Sequence, residues 1–183
     1  MKTKQLVMAS MFTALIAVGA FIKIPVPVCP FTLQFLFTTL AGALLGGGLG
    51  AVSVLCYIAL GLIGLPVFSS GGGIGYIFQP TFGYLIGFAV GAFVTGKIIH
   101  SGSKLTFPKI LAGNFIGLLI VYLCGMAYYW VIAQFYTGEG IGFKTLFLYC
   151  FVLAVPGDIV LCFISSLISK KLIPIMKKEN LYV

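Results

Sequence analysis

Three acidic residues, Glu139, Asp158 and Glu179, are all that the 183-residue chain contains; arginine is absent and histidine occurs once. So few ionisable groups exclude most polar chemistry. General acid–base catalysis needs paired acids, or an acid and a histidine, within reach of one another. The single His100 stands among lysines with no Cys/His/acid cluster around it, so it is expected on the surface and not in a metal site. The five cysteines include no C-x-x-C pair and no zinc spacing, and four of them (Cys56, Cys124, Cys150, Cys162) fall in apolar stretches as small buried side chains. Cys29, in a proline-rich segment, has no assigned role. Charged residues make up only 8% of the chain against 61% hydrophobic ones. No soluble domain of this size hides so much apolar surface, and the composition is that of a polytopic membrane protein.

What charge there is has a pattern. The net charge of +8 comes entirely from lysine, and between residues 24 and 96 there is no Lys, Arg, Asp or Glu. Nine lysines fall at the N-terminus, in one mid-chain loop and at the C-terminus; only Lys23 and Lys144 lie elsewhere. An even number of crossings places the nine on one side and the two on the other, as positive-inside topology requires, with both termini cytoplasmic. The charge therefore sets orientation and does not point to nucleic acid. The apolar run over 6–22 is too long for a signal-peptide core and lacks a cleavage site, so it is expected to remain as a membrane helix.

These features predict an all-α membrane domain of six transmembrane helices, 1–183, with spans near 5–22, 31–45, 49–65, 81–99, 110–136 and 145–169. Closely spaced prolines keep 23–30 outside and non-helical. Gly46, Gly47 and Gly48 are expected to form a tight inner turn. A second external loop, 66–80, is glycine-rich, uncharged and too apolar to be an idle linker. Small residues recur every four positions at Gly42/Gly46/Gly50, Gly83/Gly87/Gly91 and Gly113/Gly117, which lets helix backbones approach closely in lipid. On the first helix, Ala9, Thr13 and Ala17, with Ser10 and Ala14 on the adjoining face, make a similar stripe that could serve the bundle or an external partner helix. The stretch Gly91 to Lys97 matches most of a phosphate-binding loop, but Ile98 replaces the required hydroxyl and the stretch lies in a membrane helix. ATP hydrolysis by this chain is not expected.

Asp158 is the one ionisable residue within the apolar run 145–169, which is long enough to cross a bilayer, about 20 helical residues. A carboxylate there is costly and must face protein, water or a ligand. Pro156 removes a backbone donor beside it and Gly157 weakens the helix. Other outward-placed polar groups are Thr32, Gln34, Ser69, Ser70, Gln79, Tyr84 and Tyr122, with Asn114 nearer the inner side. Apolar walls carrying a few such groups suit a small amphipathic ligand, and Phe31, Phe68, Tyr76, Phe78 and Phe82 are placed to cover it.

Four segments carry a family likeness. Pro27-Val-Cys-Pro-Phe-Thr32-Leu-Gln34 resembles the P-x-T-L-Q segment of the BioY family, the biotin-binding S-components of energy-coupling factor (ECF) vitamin transporters. Gly61-Leu-Ile-Gly-Leu-Pro66-Val-Phe68 is similar to that family's G-x-x-G-L-P-V-F. Gln79-Pro80-Thr-Phe-Gly83-Tyr84-Leu-Ile-Gly87-Phe88 is similar to its G-P-T-G-G-Y-L-x-G-F, with Gln79 and Phe82 standing where glycines are common. Val155-Pro156-Gly157-Asp158 matches the late P-G-D. The resemblance runs over nearly the whole chain in the right order. It implies a six-helix capture subunit of the plasma membrane of bacteria. Such a subunit binds its vitamin from outside and works with a transmembrane coupling protein and two ATP-binding subunits. It also implies that the small residues of the first helix meet the coupling protein.

The implied ligand is chemically compatible with these residues. Biotin carries two ureido N–H donors, a ureido carbonyl and a carboxylate tail. Asp158 can accept from a ureido N–H, and Gln79 or Gln34 can donate to the ureido oxygen. With no arginine present, Lys23, hydroxyls or loop N–H groups must meet the tail. The alternatives are an S-component for thiamin or riboflavin, or a proton-coupled carrier relaying through Asp158. No inverted repeat or second buried titrating group supports the carrier.

Overall fold

The structure, a computed structural model, describes residues 3–24, 31–102, 104–136, 138 and 142–179. The prolines of the first external segment, with Cys29, and Glu139 lie outside the described residues. Among the described residues, five helices are long and apolar enough to cross a membrane. They pack as a bundle in which consecutive elements are neighbours.

Helix α1 (Thr3–Phe21) runs into a strand pair that the sequence reading had not anticipated. β1 (Lys23–Ile24) pairs antiparallel with β2 (Phe31–Thr32), Lys23 opposite Thr32 and Ile24 opposite Phe31. Extended backbone at Ile24 follows from Pro25, which disfavours helical geometry in the residue before it. The short hairpin thus departs from an all-helical chain, and it holds two residues of the expected site in register.

Helix α2 (Gln34–Leu62) is two helical arms that reverse at Gly46, whose φ of 82° and ψ of 165° are non-helical. The positive φ is open to glycine at little cost. The two arms fold back on each other. The side chain of Gln34 bonds Tyr57, 23 positions away, and a Cβ at Gly50 would lie 2.7 Å from the Cα of Gly42. The reversal frees the Ala43 carbonyl, and the ring Nε2 of His100 takes it up at 2.9 Å. His100 is half-buried at this turn, which corrects the expectation of a solvated surface residue.

Helix α3 (Phe82–His100) lies across both arms of α2. The three backbones meet at glycines: a Cβ at Gly96 would fall 2.2 Å from the Gly47 nitrogen, and one at Gly42 would fall 2.3 Å from the Ala92 oxygen. Helix α4 (Phe107–Phe135) packs on α3 by the same device, with Gly83, Gly87 and Gly91 against Tyr128, Val121 and Gly117. Gly117 in turn faces Thr95, whose hydroxyl donates to the Gly113 carbonyl at 3.0 Å. The repeated small residues of α2, α3 and α4 are therefore internal seams. Gly91 and Gly96 belong to these seams.

The last apolar segment is not one helix. Helix α5 (Phe143–Phe147) passes into a π turn over Leu148–Val152, and the chain restarts as α6 (Val155–Lys178), with Pro156 in its first turn. The expected span 145–169 is thus broken above Asp158 and continues beyond Lys170 and Lys171. Irregular backbone at membrane depth is tolerated where it lines a cavity or is buried in protein. Basic side chains gather at one end of the bundle: Lys97 lies over the Phe93 ring at 5.5 Å, Lys170 over Phe107 at 5.7 Å, and Lys109 donates to the Ser101 carbonyl.

Glycine closeness in the α2–α3 contact generates a paired prediction. Gly96→Val should destabilise the protein by at least about 1–3 kcal/mol, because neighbouring backbone cannot give way. Gly48→Ala, with nothing within 4 Å of its added Cβ, should leave the melting temperature in detergent unchanged.

Candidate functional site

A cavity opens at the end of the bundle opposite the lysine cluster. Each wall has a local cause. The strand pair supplies Phe31 and Thr32, the start of α2 supplies Gln34 and Phe35, and the glycine-rich loop supplies Ser69, Tyr76 and Thr81. Tyr84, Leu85 and Phe88 come from α3, and Val121 and Tyr122 from α4. Cys150 of the π turn, Ala154 and Asp158 close the set.

Asp158 is 8% exposed and receives the Tyr122 hydroxyl on Oδ2 at 2.5 Å. Its other oxygen, Oδ1, takes no hydrogen bond among the described residues, so the acid retains an acceptor beside the cavity. The Tyr122 ring is itself gripped edge-on, by Tyr84 at 6.3 Å and by Phe151 at 5.2 Å. The Tyr84 ring lies against Gly125, where a Cβ would be 2.4 Å from it. The break in the last segment is what lets Phe151 and Asp158 both reach Tyr122.

Gln34 is 3% exposed and donates to the Tyr57 hydroxyl at 2.8 Å, which donates to the Val67 carbonyl at 3.1 Å. The Thr32 hydroxyl reaches Gln34 Oε1 at 3.5 Å. This chain of bonds joins the strand pair, α2 and the loop into one wall. The loop is pinned by Phe68, 1% exposed, whose ring packs on Gly61 and on Tyr57 and Tyr76 at centroid distances of 5.4 and 4.4 Å. Opposite it, the Phe31 ring sits on Gly157, where a Cβ would come within 2.6 Å. Gly157 thus matters less as a helix breaker than as a seat for an aromatic at the cavity mouth.

The structure brings Thr32, Gln34, Tyr84, Tyr122 and Asp158 together around one space and leaves three expected members outside. Asn114 is wholly buried on α4, where its amide donates to Ser166 Oγ at 2.9 Å and to the Cys162 carbonyl at 3.3 Å. Eight residues separate it from Tyr122, about 12 Å along a helix. It ties α4 to α6. Gln79 follows the 3₁₀ turn Ile74–Phe78, where its carbonyl accepts from the Phe82 amide at 3.0 Å and its side chain is exposed. Lys23 is also exposed and stands at the rim, where its ammonium donates to the Ser69 carbonyl at 2.8 Å. Of the covering aromatics only Phe31 and Tyr76 line the space. Phe68 anchors the loop, Phe82 packs on Tyr128, and Phe78 stacks on Tyr136. Sequence reasoning missed Leu85 and Phe88, which share a helix face with Tyr84 and Gly91 and were legible by that spacing.

The stripe on α1 divides. Ala9 and Thr13 face the bundle, 4% and 8% exposed, and the Thr13 hydroxyl donates to the Ser53 carbonyl of α2 at 2.9 Å. Ala17 is half-buried against the main core. The expectation that Ala9 and Thr13 meet an external helix is therefore corrected: they pack internally. Ser10, whose hydroxyl turns back to the Leu6 carbonyl at 3.0 Å, and Ala14 are the exposed members.

A membrane bundle with an enclosed, largely apolar cavity and one buried acid is a small-ligand-binding membrane protein. Its likeness to known proteins is specific. The chain belongs to the BioY family, whose model matches residues 1–178. It is 46% identical to the probable biotin transporter BioY of Lysinibacillus sphaericus over 97% of this chain and 91% of that one. It is 36% identical to the probable biotin transporter BioY of Pyrococcus horikoshii, over 94% and 98% of the two chains. Among solved structures it superposes on the crystal structure of the S-component for biotin from an ECF-type ABC transporter, with a TM-score of 0.80 and 27% identity. That match covers 93% of this chain and 91% of the other.

The placement of Asn114 outside the cavity is open to test. Asn114→Ala should lower thermal stability by about 1–3 kcal/mol, since Ser166 Oγ and the Cys162 carbonyl both lose the amide donor that ties α4 to α6 in a dry interior. Ligand affinity, measured by titration calorimetry, should stay within twofold of wild type.

Proposed function

We propose that this chain is the substrate-capture subunit of an ATP-driven importer. It takes biotin from outside and delivers it across the plasma membrane with a transmembrane coupling protein and two ATP-binding subunits. The observation that carries the reading is the Tyr122-held carboxylate of Asp158 on the wall of a cavity that opens away from the lysine-rich end. The names of the relatives and the S-component structure support biotin as the ligand.

Counting the two arms of α2 separately gives six crossings, and both chain ends then lie on the lysine-rich, cytoplasmic side. The cavity mouth faces outward. The ureido ring of biotin meets Asp158 Oδ1 through an N–H, Gln34 and Thr32 lie on the same wall for its polar edge, and Phe31, Tyr84 and Phe88 enclose the sulfur ring. Tyr122 fixes the orientation of the acid, so that little ordering remains to be done when the ligand arrives. The chain's work is capture; ATP hydrolysis belongs to its partners. The exposed face of α1, with Ser10 and Ala14, offers the small residues that a partner helix can approach closely.

Asp158→Asn should weaken biotin binding at least tenfold, about 1.4 kcal/mol, with membrane insertion intact. Titration calorimetry on the purified protein, run also with thiamin and riboflavin, checks both acid and ligand. Unchanged biotin affinity would remove Asp158 from the site, and tighter binding of either other vitamin would replace the ligand. A separate pair, Ser10→Trp and Ala14→Leu, should abolish co-purification of the coupling protein and ATP-dependent uptake while sparing biotin binding. Retained assembly in both variants would place the partner elsewhere.

A further inference from the structure

The cavity is polarised by charge. Its acid is buried in the wall, and at its rim stands Lys23, outside the membrane helices in β1. The strand register puts Lys23 opposite Thr32, which lines the cavity, and the Lys23 ammonium donates to the backbone carbonyl of Ser69, which lines it too. Ser69 is fixed in its turn, since its hydroxyl lies 3.3 Å from that of Tyr76, another wall residue. The flexible stem of a lysine normally leaves its charge ill-placed. Here the bond to the Ser69 carbonyl holds it beside a residue that lines the cavity.

We propose that Lys23 is the residue that recognises the carboxylate of the ligand's tail, and that the Ser69 carbonyl is its positioning partner. An ammonium has three N–H donors. One is spent on Ser69, and two remain to meet a carboxylate at the rim. A ligand with a donor-bearing head and an acidic tail then lies with its head against Asp158 and its tail at Lys23, each end opposite the charge that suits it. An uncharged tail loses one of the two. This deepens the biotin reading and rests on it. It makes Lys23 the determinant that separates the free acid from its neutral derivatives.

The test is a comparison of biotin with biotinamide, which keeps the rings and replaces the carboxylate with a neutral amide. Affinities for both are measured on the purified full chain as wild type, Lys23→Met and Lys23→Gln. Wild type should prefer biotin to biotinamide by tenfold or more. Both variants should lose that preference, with biotin binding falling at least tenfold and biotinamide binding changing less than twofold. The retained biotinamide affinity reports an intact fold. Two results overturn the proposal: variants that still prefer the acid, or variants that lose both ligands equally, which would make Lys23 a structural tie between strand and loop. A wild type that binds neither compound would instead defeat the biotin reading.

Discussion

A carboxylate held by a tyrosine inside a membrane bundle is the constraint around which the rest of the outer half is arranged. Burying an acid in apolar surroundings is costly, and the cost is met only if the acid is hydrogen-bonded and retains something to bind. Tyr122 provides the bond at 2.5 Å. The surrounding elements exist in forms that keep this pair in place: Phe151 and Tyr84 clamp the tyrosine ring, and the broken last segment lets Phe151 and Asp158 both reach it. Gly125 gives Tyr84 the room to lie flat against α4.

The inner half obeys a different rule. There the helices are brought together by missing side chains, with Gly42, Gly47 and Gly96 at the meeting of three backbones and Gly117 against Thr95. Close approach of this kind gives dispersion contacts that lipid cannot offer, in a setting where the hydrophobic effect does not drive helices together. The reversal at Gly46 follows from the same economy of atoms, and His100 supplies the carbonyl partner that the reversal removes. The result is a rigid inner part beneath an outer part built from loops, a strand pair and an interrupted helix.

Much of this was legible in the sequence because lipid leaves few options. Apolar runs declare helices, lysines declare sides, and a lone intramembrane acid declares a site; Thr32, Gln34, Tyr84 and Tyr122 could be grouped with Asp158 by depth alone. What depth cannot give is rotation. Asn114 was included because it is polar, but it lies two turns below Tyr122 and points to Ser166. Ala9 and Thr13 were indistinguishable by spacing from Ser10 and Ala14, and only the packing of α1 on α2 decides which pair is exposed. Gln79 is the extended residue that ends a 3₁₀ turn, a feature invisible in periodicity, and its side chain is exposed.

Gly157 carries one further consequence. The aromatic ring of Phe31 rests where a methyl group would stand on that residue. The Phe31 ring therefore lies as close to α6 as a missing atom allows, and the shape of the cavity at this point is set jointly by strand and helix. A dipeptide that reads as a pause in a helix is also what seats an aromatic ring on the wall.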